Sequence, residues 1–382
     1  MNTKEINEIR RRVRRDRSNM AAIYGCYVGD NGQIVSEFRR SCATMSENES
    51  DKYFSLLKRS LSGTLGKNLI DITFATAQVA GSPEHQLLMD LRSTELKDED
   101  TRLAFYKKVM DTVSFDGGYV ILLGLDKYDV PFKSKDGDTQ DDASGEVFTY
   151  LLCAICPVKQ TKPQLYYEAD SREFHDGNIM NIVCAPELGF LFPAFDNRAT
   201  NIYNALYYNH SPKENYPEFV ASVFNAPIPK PAYEQKQSFE AILTNSLQED
   251  CSMELVQTVH EQLCQYIDLH KESKTPEALT LSKSQITGAL KEVGVSDEHL
   301  AKFSLDYDEA FGFEAAVHPK NIIDDKRFQV RTPDVSIQVA RDRTDLIETR
   351  IIGGVKYILI CAEEDIQVNG VSIHIGDEKK SL

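Results

Sequence analysis

YVILLGL (Tyr119–Leu125) and VFTYLLCAI (Val147–Ile155) are strand-length apolar runs flanking a polar loop rich in aspartate. Their β-branched and aromatic content suits a sheet, and runs with so few polar breaks read as central strands. Upstream, Ile6, Ile9 and Val13 give an opening helix a narrow apolar stripe. Ile23–Val28 and Gln33–Phe38 read as a hairpin turning at Gly29, Asp30, Asn31 and Gly32. Ser46 with Glu49 predicts a capping box for a helix bearing Tyr53, Leu56, Leu57 and Leu61. Ser82 and Pro83 open another helix, and a third carries Leu103, Tyr106 and Met110. Downstream, Asn181–Cys184 and Phe190–Phe192 suggest two more strands, and Thr200–Tyr208 a helix. The expectation is an α+β fold with a mostly antiparallel sheet and flanking helices.

Pro227, Pro229 and Pro231 predict an extended linker. The chain thus reads as an N-terminal unit (1–226), a linker (227–236) and a C-terminal unit (237–382). The last starts with helices, among them one capped by Ser252 and bearing Leu255, Val259, Leu263 and Ile267. It ends as a β meander whose hairpins turn at Gly353–Gly354 and Asn369–Gly370.

A chain of 382 residues with 41% hydrophobic and 27% charged residues is long enough for two cores and is not disordered as a whole. Its apolar runs are too short to span a membrane, and its N-terminus does not resemble a secretory signal, so no membrane partner is expected. Eight scattered cysteines read as free thiols of a cytoplasmic protein. A net charge of −16 opposes phosphate binding by the surface at large. Any such contact falls to Arg10, Arg11, Arg12, Arg14, Arg15 and Arg17, a local cluster.

Other motifs weigh toward plain structural roles. Cys153 and Cys156 form a CxxC, but inside a strand i and i+3 face opposite ways, which suits burial better than redox or zinc chemistry. Gly63, Gly66 and Lys67 offer a candidate anion loop, yet the spacing and Asn68 depart from a phosphate-binding loop, and a helix cap followed by a turn accounts for them. Asp136, Asp138, Asp141 and Asp142 lack the glycine and glutamate of an EF-hand. Glu187, Asp196, Arg198 and Asn201 border aromatic residues and could line a pocket, although Asp196 or Asn197 would equally cap the following helix. The histidines, including His260 and His270, form no i, i+4 pair. Leu290–Leu300 has a helix-turn-helix pattern, but Asp297 and Glu298 would open the reading helix against phosphate, so a helical hairpin is favoured. No metal site or cofactor is expected.

Leu61–Asp71, Glu187–Asn201 and Thr332–Val335 carry a resemblance, over nearly the whole chain, to the clostridial domain of unknown function four-three-one-seven. That family implies no activity or catalytic residue. Asp116, Gly117, Gly118 and Tyr119 leading into the strands, with a helical middle and a terminal β segment, resemble the layout of NdpA-type nucleoid-associated proteins. This implies a nonenzymatic protein engaging nucleic acid, or a nucleic-acid-bound partner, through the arginines. The alternatives are a small-ligand protein or enzyme built on the Glu187 pocket, and an interaction protein or homo-oligomer whose arginine helix clasps its own body or another copy.

Overall fold

The computed structural model describes residues 1–373 except 134–138, 178, 212, 274, 276–278, 314 and 363–365. It divides into two units, the first spanning Met1–Glu234 and the second beginning at Gln235.

The first unit opens with α1 (Thr3–Arg12), β1 (Ala22–Val28), β2 (Ile34–Ser41), α2 (Glu47–Arg59) and β3 (Leu69–Thr73). Helices α3 (Thr76–Gly81), α4 (Pro83–Ser93) and α5 (Glu99–Met110) precede a long hairpin, β4 (Tyr119–Lys133) and β5 (Thr139–Gln160). Short strands follow: β6 (Leu165–Glu168), β7 (Glu173–Asp176), β8 (Asn181–Val183), β9 (Leu188–Phe192), β10 (Ala194–Asp196), β11 (Ala199–Asn201) and β12 (Asn204–Asn209). Helix α6 (Pro217–Phe224) completes the set.

An eight-stranded sheet runs β2-β1-β4-β5-β9-β12-β3, with β8 on β5. Its pairings are antiparallel. The two apolar runs face each other at its centre, with Leu122 opposite Ala154. They are apolar at consecutive positions because both faces are covered. Ile121, Leu123, Cys153 and Ile155 pack with Leu88, Leu91, Phe105 and Phe224 of α4, α5 and α6. Val120, Leu122, Leu152 and Cys156 pack with Ile6, Ile9, Phe54 and Leu57 of α1 and α2. Each such large side chain contributes about 1.5–3 kcal/mol by burial. The CxxC cysteines therefore sit on opposite faces, and burial pushes both thiols up, Cys156 to about 12. Such thiols are not primed for redox chemistry.

Three local expectations need correction. Thr200–Tyr208 is not a helix: Ala199–Asn201 is β11, and Asn204–Asn209 is β12, lying between β9 and β3. A strand buried on both faces shows a continuous apolar run that a short helix also shows. Asp196 and Asn197 accordingly cap nothing. Asn197 (φ 49°) and Arg198 (φ 60°) form the left-handed two-residue turn of the β10–β11 hairpin. Ser46 does cap α2, accepting the Glu49 N–H at 3.2 Å, but no reciprocal box closes. The Glu49 carboxylate instead faces Arg40 at 3.7 Å. Of the aspartate loop, Asp136 and Asp138 lie outside the described residues, while Asp141 and Asp142 fall in β5.

Beyond the proline run come α7 (Ala232–Leu247), α8 (Met253–Ser273), α9 (Lys283–Glu292), α10 (Asp297–Phe311) and α11 (Pro319–Ile322). The second unit has its own core, built on Phe239, Leu263, Leu290, Phe303 and Tyr307. It ends in three antiparallel pairs: β13 (Arg327–Arg331) with β14 (Ser336–Ala340), β15 (Ile347–Ile352) with β16 (Val355–Ile360), and β17 (Ile366–Val368) with β18 (Val371–Ile373). Gly353 and Gly354 (φ 58° and 84°) and Asn369 and Gly370 (φ 51° and 82°) turn two of them as the sequence pattern requires. Between α9 and α10, Gly294 (φ 94°) makes the turn and Ser296 caps α10. His299 in the first turn of α10 stands 2.9 Å from Asp250 of the same chain. Among the described residues no helix is long and apolar enough to cross a membrane.

Candidate functional site

Helix α1 starts with a closed capping box in which the Asn2 side chain accepts the Glu5 N–H and the Glu5 carboxylate accepts the Asn2 N–H. Ile6, Ile9 and Val13 are buried against the sheet. That docking carries Glu8 and Arg12, one turn apart, onto the β4–β5 ribbon. Arg12 Nη2 lies 3.4 Å from Asp126 Oδ2, and its guanidinium stacks 4.2 Å from the Tyr128 ring centroid. Asp126 is fully buried and also accepts the Asn19 N–H at 2.6 Å and the Tyr150 hydroxyl at 2.8 Å. Burial, reinforced by Asp126, holds the Tyr150 hydroxyl protonated, well above its usual range.

The other arginines divide. Arg14 and Arg17 flank Asp16 at 3.1 and 3.8 Å, and Arg15 stands 3.9 Å from Glu47. Arg10 and Arg11 face no carboxylate at ion-pair distance among the described residues. A hollow of about 660 Å³ beside the cluster mixes Arg14, Arg15 and Lys58 with Asp16, Glu47 and Asp51. Four of the six guanidinium groups thus lie within 4 Å of carboxylates of their own chain, Arg12 in a buried pair and Arg14, Arg15 and Arg17 in exposed ones.

The candidate pocket residues separate as well. Arg198 ion-pairs with Glu8 and donates to the Pro131 carbonyl at 3.0 Å. The Tyr128 hydroxyl donates to Glu8 at 2.7 Å and is pushed up to about 12 by burial and that carboxylate. Asn201 donates to Asp196 at 2.8 Å, and the Met1 amine lies 3.0 Å from the same carboxylate. Burial would raise Asp196, but these two donors outweigh it and hold the carboxyl below its usual range. Glu187 is not with them. It lies at the opposite end of the β9–β10 run, its N–H on the Ile155 carbonyl and its carbonyl accepting the His210 N–H. Burial pushes its carboxyl up, partly opposed by His210. The four residues thus line no common pocket, and three of them fasten α1 and the β10–β11 turn.

Gly63 and Gly66 adopt positive φ (104° and 79°) as a turn requires. The amides of Gly66, Lys67 and Asn68 donate to the carbonyls of Leu69, Thr64 and Thr64, and the Thr64 amide to Asn68 Oδ1. They are spent on the turn and do not converge on an anion.

Sequence reasoning passed over β6 and β7. Among the described residues these strands pair only with each other, joined by Ala169–Arg172, where Arg172 takes φ 58°. Tyr167 stands opposite Phe174, their ring centroids 5.4 Å apart, and period-two alternation puts Leu165 on the same face. Leu165, Tyr167 and Phe174 are 69%, 55% and 68% exposed. The other face carries Tyr166, Glu168, Glu173 and His175, with His175 3.4 Å from Glu168. LYYE followed by EFHD was the available signal: two short alternating segments around a polar turn. Asp126, Tyr150 and Glu8 were also missed, since nothing local marks a carboxylate whose partner lies over a hundred residues away.

A family model described as a domain of unknown function (DUF4317) matches residues 1–371. The chain belongs to this family. No curated protein matches it. The family description carries no activity, and the resemblance in layout to nucleoid-associated proteins gains no support from the match.

Proposed function

We propose that this is a cytoplasmic protein-binding protein that docks its partner on the apolar face of the β6–β7 arm. The observation that carries the reading is the exposure of Leu165, Tyr167 and Phe174 on one side of a ribbon that pairs with no other strand among the described residues. A two-stranded ribbon alone is marginal in water, and aromatic residues left wet on one face are typical of interface anchors. The arm is acidic, with Glu168, Asp170, Glu173 and Asp176 against Arg172, so the fitting partner is a protein surface with an apolar centre and a basic rim. Eight free thiols suit a reducing compartment. The test compares proteins retained by the wild-type chain with those retained by a Tyr167→Ser, Phe174→Ser variant of unchanged melting temperature. Partners lost with the variant support the reading; identical sets end it.

A second reading, phosphate contact, rests on Arg10 and Arg11, which face no carboxylate at ion-pair distance among the described residues. Two phosphate contacts would give duplex DNA binding a log–log salt slope of about −2. Binding that does not change on Arg10→Ala, Arg11→Ala substitution removes this reading.

A further inference from the structure

The outer edge of β2 points to a second site, independent of the arm. β2 is the end strand of the eight-stranded sheet, and among the described residues only β1 pairs with it. The Cys42 N–H donates to the Ala21 carbonyl at 3.0 Å, which fixes the phase of the ladder. With Arg40 opposite Ile23, Phe38 opposite Gly25 and Ser36 opposite Tyr27, residues 36, 38 and 40 bond inward to β1. The backbone groups of Glu37 and Arg39 therefore point outward and meet no partner among the described residues, as a template for another strand, whereas the Ser41 carbonyl next along accepts the Thr44 and Met45 N–H groups and closes that end of the edge.

Charge on an edge strand ordinarily discourages pairing. Here the charges alternate in sign. Glu37 and Arg39 are both exposed, lie on the same face two residues apart, and meet no opposite charge at ion-pair distance among the described residues. Arg39 only donates to the Tyr24 hydroxyl at 3.4 Å. A second copy approaching antiparallel about a two-fold axis can adopt few registers that match outward backbone to outward backbone. Centring on Glu37 or on Arg39 sets that residue against its own copy and brings like charges together. Centring on Phe38 places Glu37 of each copy opposite Arg39 of the other, a hydrogen-bonded pair repeated twice by the symmetry.

We infer that two copies of this chain join edge to edge through β2, continuing the sheet across a two-fold axis at Phe38 with reciprocal Glu37–Arg39 pairs. The occupant of the edge is thus the same strand of a second copy, selected by charge.

The test is solution mass against concentration for the full chain, by sedimentation equilibrium. The wild type should dimerise. Glu37→Arg and Arg39→Glu each create two like-charge pairs and should raise the dimer dissociation constant about tenfold or more. The double variant restores opposite charges in reversed order and should recover wild-type association, which separates the interface from any loss of folding in a single variant. Phe174→Ser should leave the dimer intact, so this proposal and the arm proposal fail separately. A monomeric wild type, single variants that associate as well as wild type, or a folded double variant as weak as the singles would each overturn it.

Discussion

Helix α1 and the β6–β7 arm treat their side chains in opposite ways. The helix and its continuation hold the densest positive charge in the chain, yet Arg12 is turned onto buried Asp126 and three more arginines lie beside carboxylates. The arm holds large apolar side chains, yet leaves them in water. The difference teaches that composition states what a segment could bind, whereas the neighbouring elements decide what is left to bind with. Helix α1 has a covered sheet face beneath it to satisfy both its apolar stripe and its charges; the arm has no strand partner on either edge among the described residues.

The contrast breaks most visibly at Asp126. Asp126→Ala leaves Arg12 without its counter-charge and the Tyr150 hydroxyl without its acceptor, and should destabilise the first unit by about 3 kcal/mol in urea unfolding. A loss below about 1 kcal/mol would mean the helix is not held by this pair.

A smaller effect is expected one turn earlier. Arg198→Ala removes the half-buried partner of Glu8 and should cost about 1–2 kcal/mol; Glu8→Gln should overlap with it, so that the double variant costs less than the sum. Arg10→Ala and Arg11→Ala should stay within about 0.5 kcal/mol, which sharpens the division inside the cluster.

On the arm, Phe174→Ser should leave the melting temperature within about 2 °C while abolishing partner retention. A large fall in stability would instead make the arm part of a core.

The weakest expected signal is the pH response of Glu187. Burial raises its carboxyl in the folded chain, so the folded state keeps a proton that the unfolded chain has already lost. Stability therefore falls as pH rises from the ordinary glutamate range through the raised folded value, then levels. Glu187→Gln should flatten that decline and be the more stable form at neutral pH, as read from melting temperature against pH.

Much of the fold was legible. The two apolar runs, the Ser82–Pro83 helix start and the glycine turns at 353–354 and 369–370 each carry a local reason, and the structure has each of them. Ala205–Tyr208 was not legible as a strand, because being covered on both faces erases the alternation that distinguishes strand from helix. The candidate sites were less legible still. Glu187 and Asp196 are close in sequence but lie at the two ends of an extended run, while Glu8 and Arg198 are 190 residues apart and touch.

By itself the sequence determined the class of the molecule: an acidic α+β chain with a two-sided apolar sheet centre, because period, turn chemistry and net charge are properties of neighbouring residues. Only the tertiary structure decided which charges are spent and which surfaces stay open. An ion pair, a covered helix and a bare strand edge depend on what distant segments bring alongside, and no local pattern records that.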